Sequence, residues 1–333
     1  GAPVHRIGGL RQARPRAAHR RRWAAGTADS AVLAARANYA GGMTDETPSE
    51  ATPDTGDASP AEDAIMFAAF EGWNDAGSAA SSALLHLIDV WGAEKIDELD
   101  PEEYHDFQEN RPMVSTAADG TRHLAWPTTT ISVVEPPMTR RRVVLVHGIE
   151  PSLRWKSYCT ELLEIAQSLG VTTVVTLGAL LADVPHTRPI PVSVTSDDPA
   201  VQHLLEVEAN TYEGPTGIVG VLHSAAHEAG FHSLSVWAAV PHYVAHPPSP
   251  KATAAILGRL EAFLAEPVEL KDLAEDAEAW QNGVDKLMAE DTEIAEYVKQ
   301  LEEAKDTAEL PEASGEAIAR EFEQYLKRRD KDL

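Results

Sequence analysis

Val143-Val-Leu-Val146 sets four apolar residues in a row, three of them β-branched. A segment with apolar side chains on both faces belongs inside a sheet, since an edge or half-solvated strand alternates instead. His147-Gly148 and then Pro151 interrupt the run. Beyond them Trp155, Tyr158, Cys159, Leu162, Leu163, Ile165, Ala166 and Leu169 recur at helical spacing and predict a helix over 155–169. Gly170 suits the left-handed residue after a helix end, and Val171 to Leu177 reads as a further buried strand. Strand, loop, helix and strand in this order predict a parallel sheet with a right-handed crossover. Ala64 to Phe70 repeats the design: a buried strand, the turn Glu71-Gly-Trp-Asn-Asp-Ala-Gly77, then a helix to Trp91 with Asn74 or Asp75 as its N-cap.

The stretch from Lys95 to Pro136 reads as β-rich. It holds extended runs at Glu103 to Phe107, Pro112 to Thr116 and Thr121 to Trp126, with Asp119-Gly120 as a hairpin turn between the last two. Thr129 to Val134 leads to the strand at 143. Gly178 to Pro189 shows no periodicity and reads as a loop. A strand at Val192 to Thr195, helices over 199–209 and 219–229, a strand at Ser233 to Val240 and a helix at Lys251 to Leu264 complete an α/β body. From Pro267 the chain turns acidic and helical, with Leu273, Ala277, Trp280, Val284, Leu287 and Met288 at three- and four-residue steps, a second helix near Ile294 to Ala304 and a third near Ser314 to Lys327. The expected organisation is a leader over 1–63, an α/β core over 64–266 carrying a β-hairpin insertion, and an acidic helical appendage over 267–333.

The leader has two parts. Residues 1–42 carry eight arginines against the single acid Asp29, and Met43 opens a stretch of opposite character. The reading is that Met43 is the biological start and 1–42 are not native, with a disordered basic arm as the other option. Residues 43–63 have the composition of a disordered acidic segment. The net charge of −25 over 333 residues opposes nucleic acid or an anionic membrane as the main partner. One cysteine, Cys159, rules out an intrachain disulfide and suits a reducing cytoplasm. No apolar run reaches the roughly 20 residues of a bilayer span.

In parallel sheets ligands meet the loops at the carboxyl ends of the strands, which directs attention to the turns at 71–77 and 148–154. Asp75 and Glu150 could converge there as a general acid and base, with helix capping as the rival role. His186-Thr187-Arg188, between Pro185 and Pro189, offers an imidazole and a guanidinium on a stiffened loop, for an anionic ligand or a neighbour's carboxylate, or as a latch on backbone carbonyls. His223 and His227 lie four apart on one helix, a spacing open to metal ligation, but the order H-E-x-x-H is not met and no third ligand stands out. A polar helix edge or a trimer contact is the other reading, and no metal or cofactor is expected. The sequence holds no G-x-G-x-x-G, P-loop or G-x-S-x-G pattern.

Glu71-Gly-Trp-Asn-Asp-Ala-Gly77, Gly148-Ile-Glu-Pro-Ser-Leu-Arg-Trp155, Leu177-Gly-Ala-Leu180 and Asp183-Val-Pro-His-Thr-Arg-Pro189, in that order, resemble the actinobacterial branch of the proteasome assembly chaperone 2 family. The resemblance implies a three-layer α/β fold with a mostly parallel sheet, similar to the phosphorylase/hydrolase-like fold of purine nucleoside phosphorylase. It also implies self-assembly, with a trimer favoured, and a chaperone or scaffold role toward a protein client such as proteasome subunits. Trp73, Asn74, Asp75, Gly148, Glu150, Arg154, His186, Thr187 and Arg188 are the expected ligand- or partner-binding residues. The alternative is a hydrolase- or phosphorylase-like enzyme or metabolite binder in which Asp75, Glu150 and His186 act at the strand ends. Whether the chain is an enzyme stays open at this point.

Overall fold

The computed structural model describes residues 63–309; residues 1–62 and the stretch near 314–327, where a third helix is expected, lie outside them. In chain order the elements are β1 (Ala64–Glu71), α1 (Ala79–Trp91), β2 (Glu94–Glu98), α2 (Pro101–Tyr104), β3 (Met113–Thr116), β4 (Arg122–Ala125), β5 (Thr129–Val134), β6 (Val143–Ile149), α3 (Trp155–Ser168), β7 (Val171–Ala182), β8 (Val192–Thr195), α4 (Pro199–Leu205), α5 (Ile218–Glu228), β9 (His232–Pro241), α6 (Pro250–Leu264), α7 (Leu273–Glu290) and α8 (Thr292–Glu309).

Seven strands form one sheet in the order β2-β5-β6-β1-β7-β9-β8, and β1 is its middle. The inner strands β6, β1, β7 and β9 run parallel, while β5, β2 and β8 close the margins antiparallel. The sheet is therefore mixed, parallel where the sequence is apolar on both faces. β6 and β7 do not pair with each other, because β1 inserts between them.

The two-residue period of a strand sorts the core into two halves. Ile65, Phe67 and Ala69 of β1 face one side, in register with Val143 and Leu145 of β6 and with Val175 and Leu177 of β7, under α1 and α6. Met66, Ala68 and Phe70 face the other side with Val144, Val146 and Val174, under α3 and α5. The result is three layers, helix, sheet and helix. On α3 the predicted stripe is the buried one: Tyr158, Cys159, Leu162, Leu163 and Ala166. Gly170 takes the left-handed conformation expected of it, with φ of 76°.

Two readings of the sequence need correction. Glu103 and Tyr104 are not extended: Asp100 accepts the Glu102 amide, Pro101 opens the short α2, and the Tyr104 ring packs edge-on against Tyr158 at 5.2 Å. The Asp-Pro start signal outweighs the alternation that followed it. The segment after Leu177 is not a loop at first, since β7 runs on to Ala182 and pairs with β9 as far as Pro241. Gly178, where that loop was expected to begin, instead lies under the Trp237 ring, where a Cβ would come within 2.8 Å of three ring atoms.

The β3–β4 hairpin forms a separate two-stranded sheet, turned at Asp119-Gly120, where Gly120 has φ of 84° and Asp119 accepts the Thr121 amide. All its strand residues are exposed. Past α6, Glu266 is fully buried, and its two carboxylate oxygens accept the amides of Met138 and Thr139. α7 packs on α6, with Val284 buried, and α8 starts after Asp291, which accepts the Glu293 and Ile294 amides.

Burial pushes the Cys159 thiol up to about 12. Relative to an ordinary cysteine this leaves roughly a thousandfold less thiolate at neutral pH. A thiol reagent such as iodoacetamide is expected to leave the folded protein unlabelled and to label it fully in denaturant, with mass spectrometry as the readout; ready labelling of the native protein would contradict the buried α3 face.

Candidate functional site

Parallel pairing of β1, β6, β7 and β9 brings their carboxyl ends, and the loops that follow, to one rim. β1 and β6 are in register to Glu71 and Ile149, and the Glu150 amide then donates to the Glu71 carbonyl at 2.9 Å, so the turns beginning at 72 and 150 lie side by side. Gly72, with φ of 122°, makes the first turn. Asn74 Nδ2 donates to Glu150 Oε1 at 2.9 Å, and the amide of Ile218, the first residue of α5, donates to the same oxygen at 2.8 Å. A carboxylate at a helix N-terminus is favoured by the unpaired amides there and by the helix dipole. Gly217 contributes no side chain of its own: a Cβ there would overlap the Asn74 amide and lie 2.6 Å from Glu150 Oε1. Three loops thus converge on one carboxylate oxygen.

Asp75 is buried beside this junction but serves a different helix. Its Oδ1 accepts the Ala80 amide at 2.7 Å and the Ser81 amide at 3.3 Å, and its Oδ2 accepts the Ser81 hydroxyl. Burial pushes its pKa up, against the pull of these hydrogen bonds. Asp75 and Glu150 therefore cap α1 and α5 respectively and share no hydrogen bond, which is the capping role weighed against an acid–base pair. Trp73, on the same turn as Asp75, is 67% exposed. Gly148 is a packing residue: a Cβ would fall 2.6 Å from Thr129 Oγ1 and 2.7 Å from the Thr128 carbonyl. Arg154, exposed, pairs with Glu103 on α2. Glu71, not among the expected site residues, lies 3.4 Å from His147 Nε2, and the imidazole holds its carboxyl below the usual range.

At the ends of β7 and β9 the His186-Thr187-Arg188 loop meets the appendage. The Tyr243 hydroxyl accepts the His186 amide at 2.8 Å and lies 2.8 Å from its Nδ1. That arrangement suits the tautomer with its proton on Nε2, which sits 3.0 Å from Asp285 Oδ1 of α7. Arg188 forks onto Asp306 of α8 at 2.8 and 2.7 Å and reaches Glu302 at 3.3 Å, while the Thr187 hydroxyl donates to Glu302. Beside them the Asp183 carboxylate takes the Tyr297 hydroxyl at 3.1 Å and lies 3.2 Å from His242 Nδ1. Burial pushes the Tyr243 hydroxyl up to about 12. The loop is a latch, as one reading had it, but on carboxylates about a hundred residues downstream rather than on backbone carbonyls. No local spacing in the sequence announces partners so remote.

His223 and His227 part company: His223 is buried, 3.3 Å from Asp197, with its pKa pushed down by burial, and His227 is exposed. Among the described residues no group of three His, Cys, Asp or Glu side chains is placed to hold a metal ion, and no helix is long and apolar enough to cross a membrane. A cavity of about 170 Å³ opens away from the rim, between β8, β9, α4 and α6, lined by Val194, Leu205, Val236 and Phe263 with Arg259 at its wall. None of the candidate residues lines it.

The body is thus a three-layer α/β structure whose strand-end side chains are engaged by helix starts and by acids of α7 and α8. The PAC2 family model matches residues 69–288, and the chain belongs to that family. A PAC2 family protein from Streptomyces avermitilis is 54% identical, with a TM-score of 0.68, over 71% of this chain and 100% of that one. The proteasome-assembly chaperone homologue of Mycobacterium tuberculosis is 51% identical, with a TM-score of 0.65, over 70% and 99%. Pyrococcus furiosus PbaB, described as an archaeal proteasome activator, shares the fold at 16% identity and a TM-score of 0.52, over 68% of this chain and 93% of its own. No protein with a curated description matches.

Gly217→Ala is expected to cost about 1–3 kcal/mol in denaturant unfolding, the range for forcing atoms into a packed site. Truncating the clashing amide with Asn74→Ala should recover part of that loss in the double variant, giving a coupling of at least ~0.5 kcal/mol. Strict additivity would refute the shared junction.

Proposed function

We propose that this protein is a chaperone-like scaffold that assembles with itself and binds a protein client related to the proteasome. Family membership and the close likeness to the Mycobacterium tuberculosis proteasome-assembly chaperone homologue support the reading. The observation that carries it is the β3–β4 hairpin. A two-stranded ribbon is marginal alone, and this one exposes Met113, Val114 and Leu124 beside Trp126, whose ring meets Phe107 at 4.8 Å. Apolar side chains grouped on a projecting ribbon are the usual mark of a protein interface. A homo-oligomer, with a trimer favoured, would bury them. The engaged carboxylates of the rim weigh against a metabolite enzyme acting through Asp75, Glu150 and His186.

Light scattering is expected to give a multiple of the 36.0 kDa chain mass, and Met113→Ser/Val114→Ser/Leu124→Ser should reduce it to the single-chain value with an unchanged melting curve. A variant that keeps the multiple would remove the hairpin from the interface. Tagged full-length protein is expected to recover purified proteasome α-type subunits in a pull-down, and failure to recover them would sink the client assignment.

A further inference from the structure

A separate feature from those invoked for self-assembly and for the proteasome reading is the loop at 185–189. The loop 185–189 reads carboxylates, and most of what shapes it comes from the body rather than from α8. Tyr243 grips His186 through both its amide and its ring, leaving it 1% exposed. Lys251 of α6 donates to the His186 carbonyl and to Gln281. Prolines at 185 and 189 bracket the loop. A guanidinium fork and a threonine hydroxyl are thereby aimed outward, the geometry that takes a carboxylate in two parallel hydrogen bonds.

The helix that occupies this loop meets it through acids, with the Tyr297 ring edge-on to Tyr243 and His242 beside them. Glu302 and Asp306 are four residues apart, one helical turn, so both reach Arg188 from the same face. Among the described side chains of α8 only Val298 is buried, and Tyr297 adds its hydroxyl bond to Asp183. Arg188 is half-buried and Asp306 exposed, so the grip is open to salt and to competition.

We propose that the His186-Thr187-Arg188 loop is a docking site for an acidic helix, filled in cis by α8 and open, once α8 lifts, to a partner protein's helix with carboxylates one turn apart. The site does not depend on who the client is, and it stands or falls separately from the proteasome reading.

The test uses the full chain carrying Glu302→Lys and Asp306→Lys, with circular dichroism to establish that the body is folded. Amide hydrogen exchange over 292–309 is expected to speed up at least tenfold in this variant, with β1 and β6 unchanged; α8 amides as protected as in the wild type would overturn the charge-held latch. A labelled peptide of residues 292–309 is then expected to bind the variant but not the wild type, and to release in 0.5 M NaCl (Debye length about 4 Å). Adding Arg188→Ala should abolish that binding, as should Glu302→Gln with Asp306→Asn in the peptide. Binding that survives either change, or no binding to the variant, would overturn the docking site.

Discussion

The molecule depends on β1 being buried on both faces while paired in parallel on both edges. Burying an aliphatic or aromatic side chain is worth about 1.5–3 kcal/mol, and Ile65, Met66, Phe67 and Phe70 are each almost wholly removed from water. That burial requires helices on both sides of the sheet, and parallel pairing requires the chain to travel back along the sheet between strands. Together these requirements send the turns after β1, β6, β7 and β9 to one rim. Every candidate residue taken from those turns owes its position to this constraint.

At the rim, the helix ends determine what the carboxylates do. A helix starting near the sheet leaves amides without partners, and acids from the neighbouring turns supply acceptors. Glu150 serves α5 and Asp75 serves α1, so groups that by residue type suit proton transfer are occupied in joining loops. The same economy operates at β7 and β9, where a histidine and an arginine face the acids of α7 and α8. The negative charge of the appendage is in part matched by this loop instead of being wholly a solvated face.

How much of this the sequence disclosed follows from the range of each interaction. Buried strands and amphipathic helices are written in periods of two and about 3.6, so β1, β6 and α3 stand out within a few residues of their ends. The Asp119-Gly120 hairpin is equally local. Pairing order is not local: nothing in Val143 to Leu177 shows that β1 will slide between β6 and β7. Gly178 misled because a glycine in a strand can mark either a break or a ring packed on the backbone, and Trp237 lies some sixty residues away. The rim residues Glu150, His186 and Arg188 were visible as types in turns, but their partners Ile218, Asp285 and Asp306 were not, since contacts between distant segments leave no spacing to read.

The fully buried Glu266 has a mechanical meaning. Its carboxylate clasps the amides of Met138 and Thr139, on the connection that feeds β6, immediately after α6 ends. The root of the acidic arm is thus tied to the entry of β6, while Glu302 and Asp306 of α8 meet the loop at the opposite end of the sheet. One buried carboxylate therefore serves two jobs, closing the way into β6 and anchoring the first residues of the arm, so its loss would disturb both together.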